Sequence, residues 1–112
     1  MSIALTQHTN QFSTSPQLTV EQIAEAAALG FKTIINNRPD GEAGAEQPLS
    51  SDLAREAAKH GISYHHIPVI SGQMTQDNVI AMKQLLAQAQ APVLAFCRSG
   101  TRSTNLWRSA CE

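Results

Sequence analysis

The run Val93-Leu94-Ala95-Phe96 is apolar at four successive positions, and Cys97 follows it directly. An unbroken apolar run of this kind is a strand that shows neither face to water, and such strands belong to parallel sheets covered by helices. The rest of the chain agrees. Thr19 and Gln22 form a capping box ahead of a helix whose apolar residues Val20, Ile23, Ala24 and Ala27 recur at i, i+3, i+4 and i+7, with Gly30 closing it. Residues 31–35 predict a strand, 36–48 a loop punctuated by Gly and Pro, and 51–60 a helix burying Leu53, Ala54, Ala57 and Ala58. Residues 62–69 predict another strand, broken late by Pro68. Thr75 caps a third helix with the stripe Val79, Met82, Leu86 and Ala89, Pro92 ends that stretch, and a last helix from Thr101 puts Leu106, Trp107 and Ala110 on one face. Residues 3–15, rich in Ser and Thr, predict one or two short strands. Strands alternating with helices predict an α/β fold, with a mainly parallel central sheet, right-handed crossovers and helices on both faces. At 112 residues, 1–112 reads as one domain.

Charge and cysteine count narrow the function. Eight Lys and Arg against nine Asp and Glu give a formal charge of −1, which argues against non-specific nucleic-acid binding, a process that needs a basic face. No run approaches the roughly 18 apolar residues of a membrane span. The N-terminal residues lack the basic and apolar regions of a signal peptide, so a cytoplasmic protein is expected. Cys97 and Cys111 are the two cysteines. The helix between them would hold their Cα atoms roughly 20 Å apart, against a bridging limit near 7 Å. Both should be free thiols, with no catalytic role for Cys111.

The chemistry gathers in Cys97-Arg98-Ser99-Gly100-Thr101-Arg102-Ser103. A tight turn between a buried strand and a helix start aims backbone N–H groups inward, and the helix dipole adds positive partial charge there. A sulfur on the floor of that cup has its thiolate favoured by the amides and by Arg98 and Arg102. Gly100 permits a positive φ or a close ligand approach. The hydroxyls of Thr101 and Ser103 can cap the helix and donate to the sulfur, while Ser99 completes the anion-binding rim. Cys97 is the expected nucleophile and Arg102 its catalytic partner, for an anionic substrate. This expectation needs inward-facing amides and a sulfur open to solvent.

These residues carry a resemblance. Residues 97–103 are similar to the active-site loop of rhodanese-type sulfurtransferases. Leu18-Thr19, Asn37-Arg38-Pro39-Asp40-Gly41-Glu42, Ile67-Pro68-Val69 with Ser71-Gly72-Gln73, and the 97–103 loop together resemble the DUF442 family. That is the phosphatase-like domain also found at the N-terminus of beta-lactamase-hydrolase-like proteins. The resemblance implies a cysteine-phosphatase-like three-layer fold. It also implies sulfide and persulfide metabolism, since members are often joined to persulfide dioxygenases or sulfide-oxidising enzymes, which would be the partners.

Two arguments favour sulfur transfer over phosphoryl transfer. Cysteine phosphatases of this kind use Cys-x5-Arg, whereas Cys97 and Arg102 are separated by four residues. Each residue adds up to about 3.3–3.6 Å of contour, so the shorter cup should be narrower. Expelling an alkoxide also benefits from a general acid, and residues 70–74, where such phosphatases commonly carry one, contain no carboxylate. The expected reaction is therefore transfer of sulfane sulfur from thiosulfate or glutathione persulfide to a thiol or cyanide through a Cys97 persulfide, with no metal or cofactor. The alternatives are a phosphatase working through a Cys97 phosphocysteine, and a non-catalytic sulfur-carrier module. Arg38 and Asp40 read first as turn residues and second as rim residues, Arg38 guiding anions and Asp40 standing in as a displaced acid. Gln73 is a third rim candidate. His65 and His66, adjacent on a strand, face opposite sides and cannot easily share a metal.

Overall fold

The structure is a computed structural model and describes residues 2–112. Five strands, β1 (Thr6–Thr9), β2 (Phe12–Ser15), β3 (Thr33–Asn36), β4 (Ser63–His66) and β5 (Val93–Phe96), form one sheet in the order β1-β2-β5-β3-β4. The β1–β2 hairpin is antiparallel, and the β2–β5, β5–β3 and β3–β4 pairs are parallel. The apolar run read from the sequence is thus the central strand, and all four of its residues are buried.

Helices α1 (Val20–Ala28) and α2 (Ser50–Lys59) cover one face of the sheet, through Ile23, Ala26, Leu53 and Ala57 against Ile34, Leu94 and Phe96. Helices α3 (Gln76–Gln88) and α4 (Thr101–Ala110) cover the other, through Met82, Leu106 and Ala110 against Ile35, Val93 and Ala95. Alternate residues of β3 and β5 therefore feed opposite cores, as the two-residue period of a strand requires. The result is the three-layer α/β fold that the alternation of elements predicted.

The capping box at Thr19 is formed in full, with both Thr19 and Gln22 side chains bonded to backbone amides. Thr75 makes another with Asn78. Strand β4 ends at His66, short of residue 69, because Pro68 has no N–H to give the ladder. Helix α2 buries Leu53 and Ala57, while Ala58 faces water. Trp107 is half-buried and stacks on Phe12 with ring centroids 5.0 Å apart. Both cysteines are free thiols, Cys97 buried and Cys111 exposed. No helix among the described residues is long and apolar enough to cross a membrane.

Candidate active site

Strand β5 delivers Cys97 to the carboxyl edge of the sheet, and residues 98–100 turn sharply into α4. Gly100 is the helix N-cap at φ +95°, a left-handed conformation that favours glycine, and an added Cβ there would meet the Ser15 carbonyl oxygen at 3.4 Å. This conformation brings the Gly100 N–H onto the Cys97 sulfur at 3.1 Å. Burial pushes the thiol up, but hydrogen bonds from the amides of Ser103, Ser99, Gly100 and Arg102 outweigh it, so the thiol lies below its ordinary value. Neighbouring loops nail the turn in place. The Gln17 N–H donates to the Arg98 carbonyl at 3.3 Å on the β2 side, and the buried Ser103 hydroxyl donates to Asn37 Oδ1 at 2.8 Å on the β3 side.

The inward-facing amides are as the sequence required, but the solvent-facing sulfur is not. Cys97 is 0% exposed, because the central strand ends beneath its own turn and leaves the sulfur under the rim. The hydroxyls also act differently from expectation. Ser103 offers its amide to the sulfur and its hydroxyl to Asn37, while Thr101 accepts from the Ser99 hydroxyl at 3.1 Å. The backbone, not the hydroxyls, makes the cup.

A cleft of about 630 Å³ opens over this rim, lined by Arg98, Ser99, Thr101 and Arg102 from the turn and by Arg38 and Glu42 from the loop after β3. Arg98 is exposed there. Arg38 is buried, with Nε donating to Glu42 Oε1 at 2.8 Å and Nη1 to Gln17 Oε1 at 3.1 Å. Arg102 grips the same carboxylate from the other side, Nη1 to Oε2 at 2.6 Å and Nη2 to Oε1 at 2.8 Å, and Nη1 also donates to the Val69 carbonyl at 2.9 Å. These bonds, Arg102 foremost, hold the Glu42 carboxyl down to about 2 against the opposing effect of burial. In turn Glu42 first, and the Cys97 sulfur after it, raise the hold of Arg102 on its proton.

Two rim candidates lie elsewhere. Asp40 accepts from the Ser50 N–H at 2.8 Å and so caps the start of α2, where a turn carboxylate satisfies an otherwise orphaned amide. The Gln73 side chain is exposed and does not line the cleft, whose far wall is formed by residues 70–72. His66 donates Nε2–H to the Arg38 carbonyl at 2.8 Å, fixing the same loop from below. Glu42 is the residue the sequence reading passed over. Its signal was its place in a Pro- and Gly-punctuated turn with Arg38, but its partner Arg102 lies 60 positions away.

The family described as "Beta-lactamase hydrolase-like protein, phosphatase-like domain" matches residues 4–111. The chain belongs to this family. The beta-lactamase hydrolase-like protein of Agrobacterium fabrum is 41% identical over 81 residues, which cover 72% of this chain and 19% of that protein. The chain thus spans about a fifth of the length of the curated relatives it matches. Among solved structures, a candidate phosphatase of Neisseria meningitidis Z2491 superposes with TM-score 0.82 at 39% identity, over 90% of this chain and 71% of that one. A DUF442 candidate phosphatase of Shewanella putrefaciens CN-32 shares the fold, with TM-score 0.81 at 22% identity over 96% of this chain and 67% of its own.

These relationships overturn sulfur transfer as the reading of the site, since the family and its structural relative at 39% identity are phosphatase-like. The geometry answers the first of the two arguments for sulfur transfer. A four-residue spacing still brings four amides to the sulfur, because the first turn of α4 supplies two of them. The other stands in part: residues 70–74 carry no carboxylate, and Glu42, which reaches the cleft from a different loop, is held ionised by Arg102 and Arg38, its pKa at about 2.

Proposed function

We propose that this chain is a cysteine-dependent phosphatase acting on phosphomonoesters through a Cys97 phosphocysteine. The observation that carries the reading is the convergence of the amides of Ser99, Gly100, Arg102 and Ser103 on a thiol held below its ordinary pKa. The Cys97 thiolate attacks phosphorus; the S–P bond forms as the P–O bond breaks, and the leaving oxygen takes up a proton from water, Glu42 being held ionised. Water then attacks phosphorus, the S–P bond breaks, and inorganic phosphate leaves with the thiolate restored. Amide donors aimed at the thiolate and at the equatorial oxygens do most of the stabilising in such a transfer. The sulfur lies under the rim at rest, so the phosphoryl group enters from the cleft, where Arg102 and the amides receive its oxygens. The free thiols fit a reducing cytoplasm.

Turnover of p-nitrophenyl phosphate by the wild type, with loss of about 10⁴-fold or more in Cys97→Ser, is the expected result. A phosphoryl adduct on Cys97 should appear after acid quench, and kcat/KM should rise with pH through a midpoint below that of an ordinary thiol. Wild-type protein inert toward aryl and alkyl phosphates alike would overturn the reading.

A further inference from the structure

We propose that Glu42 is a positioning residue that presents one edge of the Arg102 guanidinium to the oxyanion of the substrate. A guanidinium has five N–H donors in one plane. Three are committed: Nη1 and Nη2 each give one to Glu42, and Nη1 gives its second to the Val69 carbonyl. The two left over are Nε–H and the remaining Nη2–H. They lie side by side on a single edge, and a parallel pair of this kind is the fork that binds two oxygens of one phosphoryl group. The Cys97 sulfur acts on Arg102 through its charge and through a side-chain hydrogen bond, so the guanidinium lies beside the nucleophile. The clamp therefore takes up three donors on Arg102 and leaves the remaining pair for the sulfur and the oxyanion it receives.

The clamp is itself anchored. Arg38, buried and tied to Gln17, holds Glu42 Oε1, so the carboxylate cannot swing with the surface. The ion pair is only partly open to water, with side chains 12% and 26% exposed for Arg102 and Glu42. The long arginine side chain is thus ordered before substrate arrives, which is how preorganised donors gain their advantage. The inference rests on the phosphatase reading only in taking the oxyanion to be a phosphoryl group.

The opposite role is a competing anion that sits in the substrate's seat, and it predicts effects of opposite sign. The probe is tungstate binding by calorimetry to wild type, Glu42→Gln and Glu42→Asp, with the ionisation of Cys97 followed by the pH dependence of its alkylation. The sulfur is surrounded by the amides of residues 99, 100, 102 and 103 and the Arg102 cation, so its thiol pKa reports where the guanidinium sits. Positioning predicts tungstate binding about 10- to 100-fold weaker in Glu42→Gln and a higher Cys97 pKa, as the arginine drifts away. It also predicts partial rescue in Glu42→Asp, which keeps the charge. Further, Glu42→Gln should have little effect on tungstate once Arg102→Lys has removed the fork. Tighter tungstate binding with an unchanged or lower thiol pKa would overturn the proposal, as would an equal effect in the Arg102→Lys background. If Glu42→Gln does not fold, the comparison of Glu42→Asp with wild type carries the same signs. A wild type that binds tungstate yet hydrolyses no phosphomonoester sinks the phosphatase reading and leaves this inference standing.

Discussion

Two loops leave the carboxyl edge of the sheet and meet over Cys97, and they are built on different plans. The loop after β5, residues 97–100, is short and works through its backbone: amides aimed at a sulfur, a glycine at φ +95°, and a helix start behind them. The loop after β3, residues 37–49, is long and works through side chains: Arg38 and Glu42 at the cleft, Asn37 beneath Ser103, and Asp40 at the start of α2. A backbone device restricts residue type only where its conformation demands it, as at Gly100, but its parts are adjacent along the chain, so it leaves a compact signature. A side-chain device restricts only the few residues that touch, and these are far apart along the chain.

The contrast yields an ordered set of expectations. Arg102→Ala removes the one group both loops share, and the rate of phosphoester hydrolysis should fall about 10²–10³-fold, as when an oxyanion donor is lost. A loss under tenfold would mean that the amides alone carry the transition state. Gly100→Ala attacks the backbone plan by forcing a side chain into a left-handed conformation, at a strain of roughly 1–2 kcal/mol. Its Cβ would only touch the Ser15 carbonyl oxygen, at 3.4 Å, so the cost lies in the backbone conformation. Stability should fall by about that strain and turnover by about tenfold, since an amide is shifted rather than removed. Unchanged turnover would show that the loop tolerates a different cap. Asp40→Ala tests whether the long loop divides into a structural and a chemical half. The lost cap should lower unfolding free energy by about 0.5–2 kcal/mol in a denaturant titration. Turnover should stay within about twofold, and a much larger drop would move Asp40 back to the site.

The same contrast explains what could be read from the chain. The alternation of elements, the buried β5 run, the caps at Thr19 and Thr75 and the cup around Cys97 all arise from local patterns, and all stand in the structure. Local chemistry went astray where two adjacent groups compete for one role. Ser103 carries both a hydroxyl and an amide, and only the packing of Asn37 against it sends the hydroxyl away from the sulfur. Asp40 and Glu42 sit two positions apart in one turn, with nothing in their spacing to say which faces the helix and which the cleft. That choice is made by Arg38 and Arg102, arriving from two different elements. The burial of Cys97 was equally hidden, because it depends on how far the 98–102 rim folds back over the strand end.

The order of the strands has a consequence for how damage would show itself. Cys97 is the continuation of the innermost strand, and the turn it opens is stitched to the loops on either flank, through Gln17 and through Asn37. A cavity cut beside Leu94 or Phe96 would slacken the floor on which the amides stand long before the sheet came apart. Loss of turnover in this molecule would then act as an early warning of a loosened interior, detectable while the melting curve still looked sound.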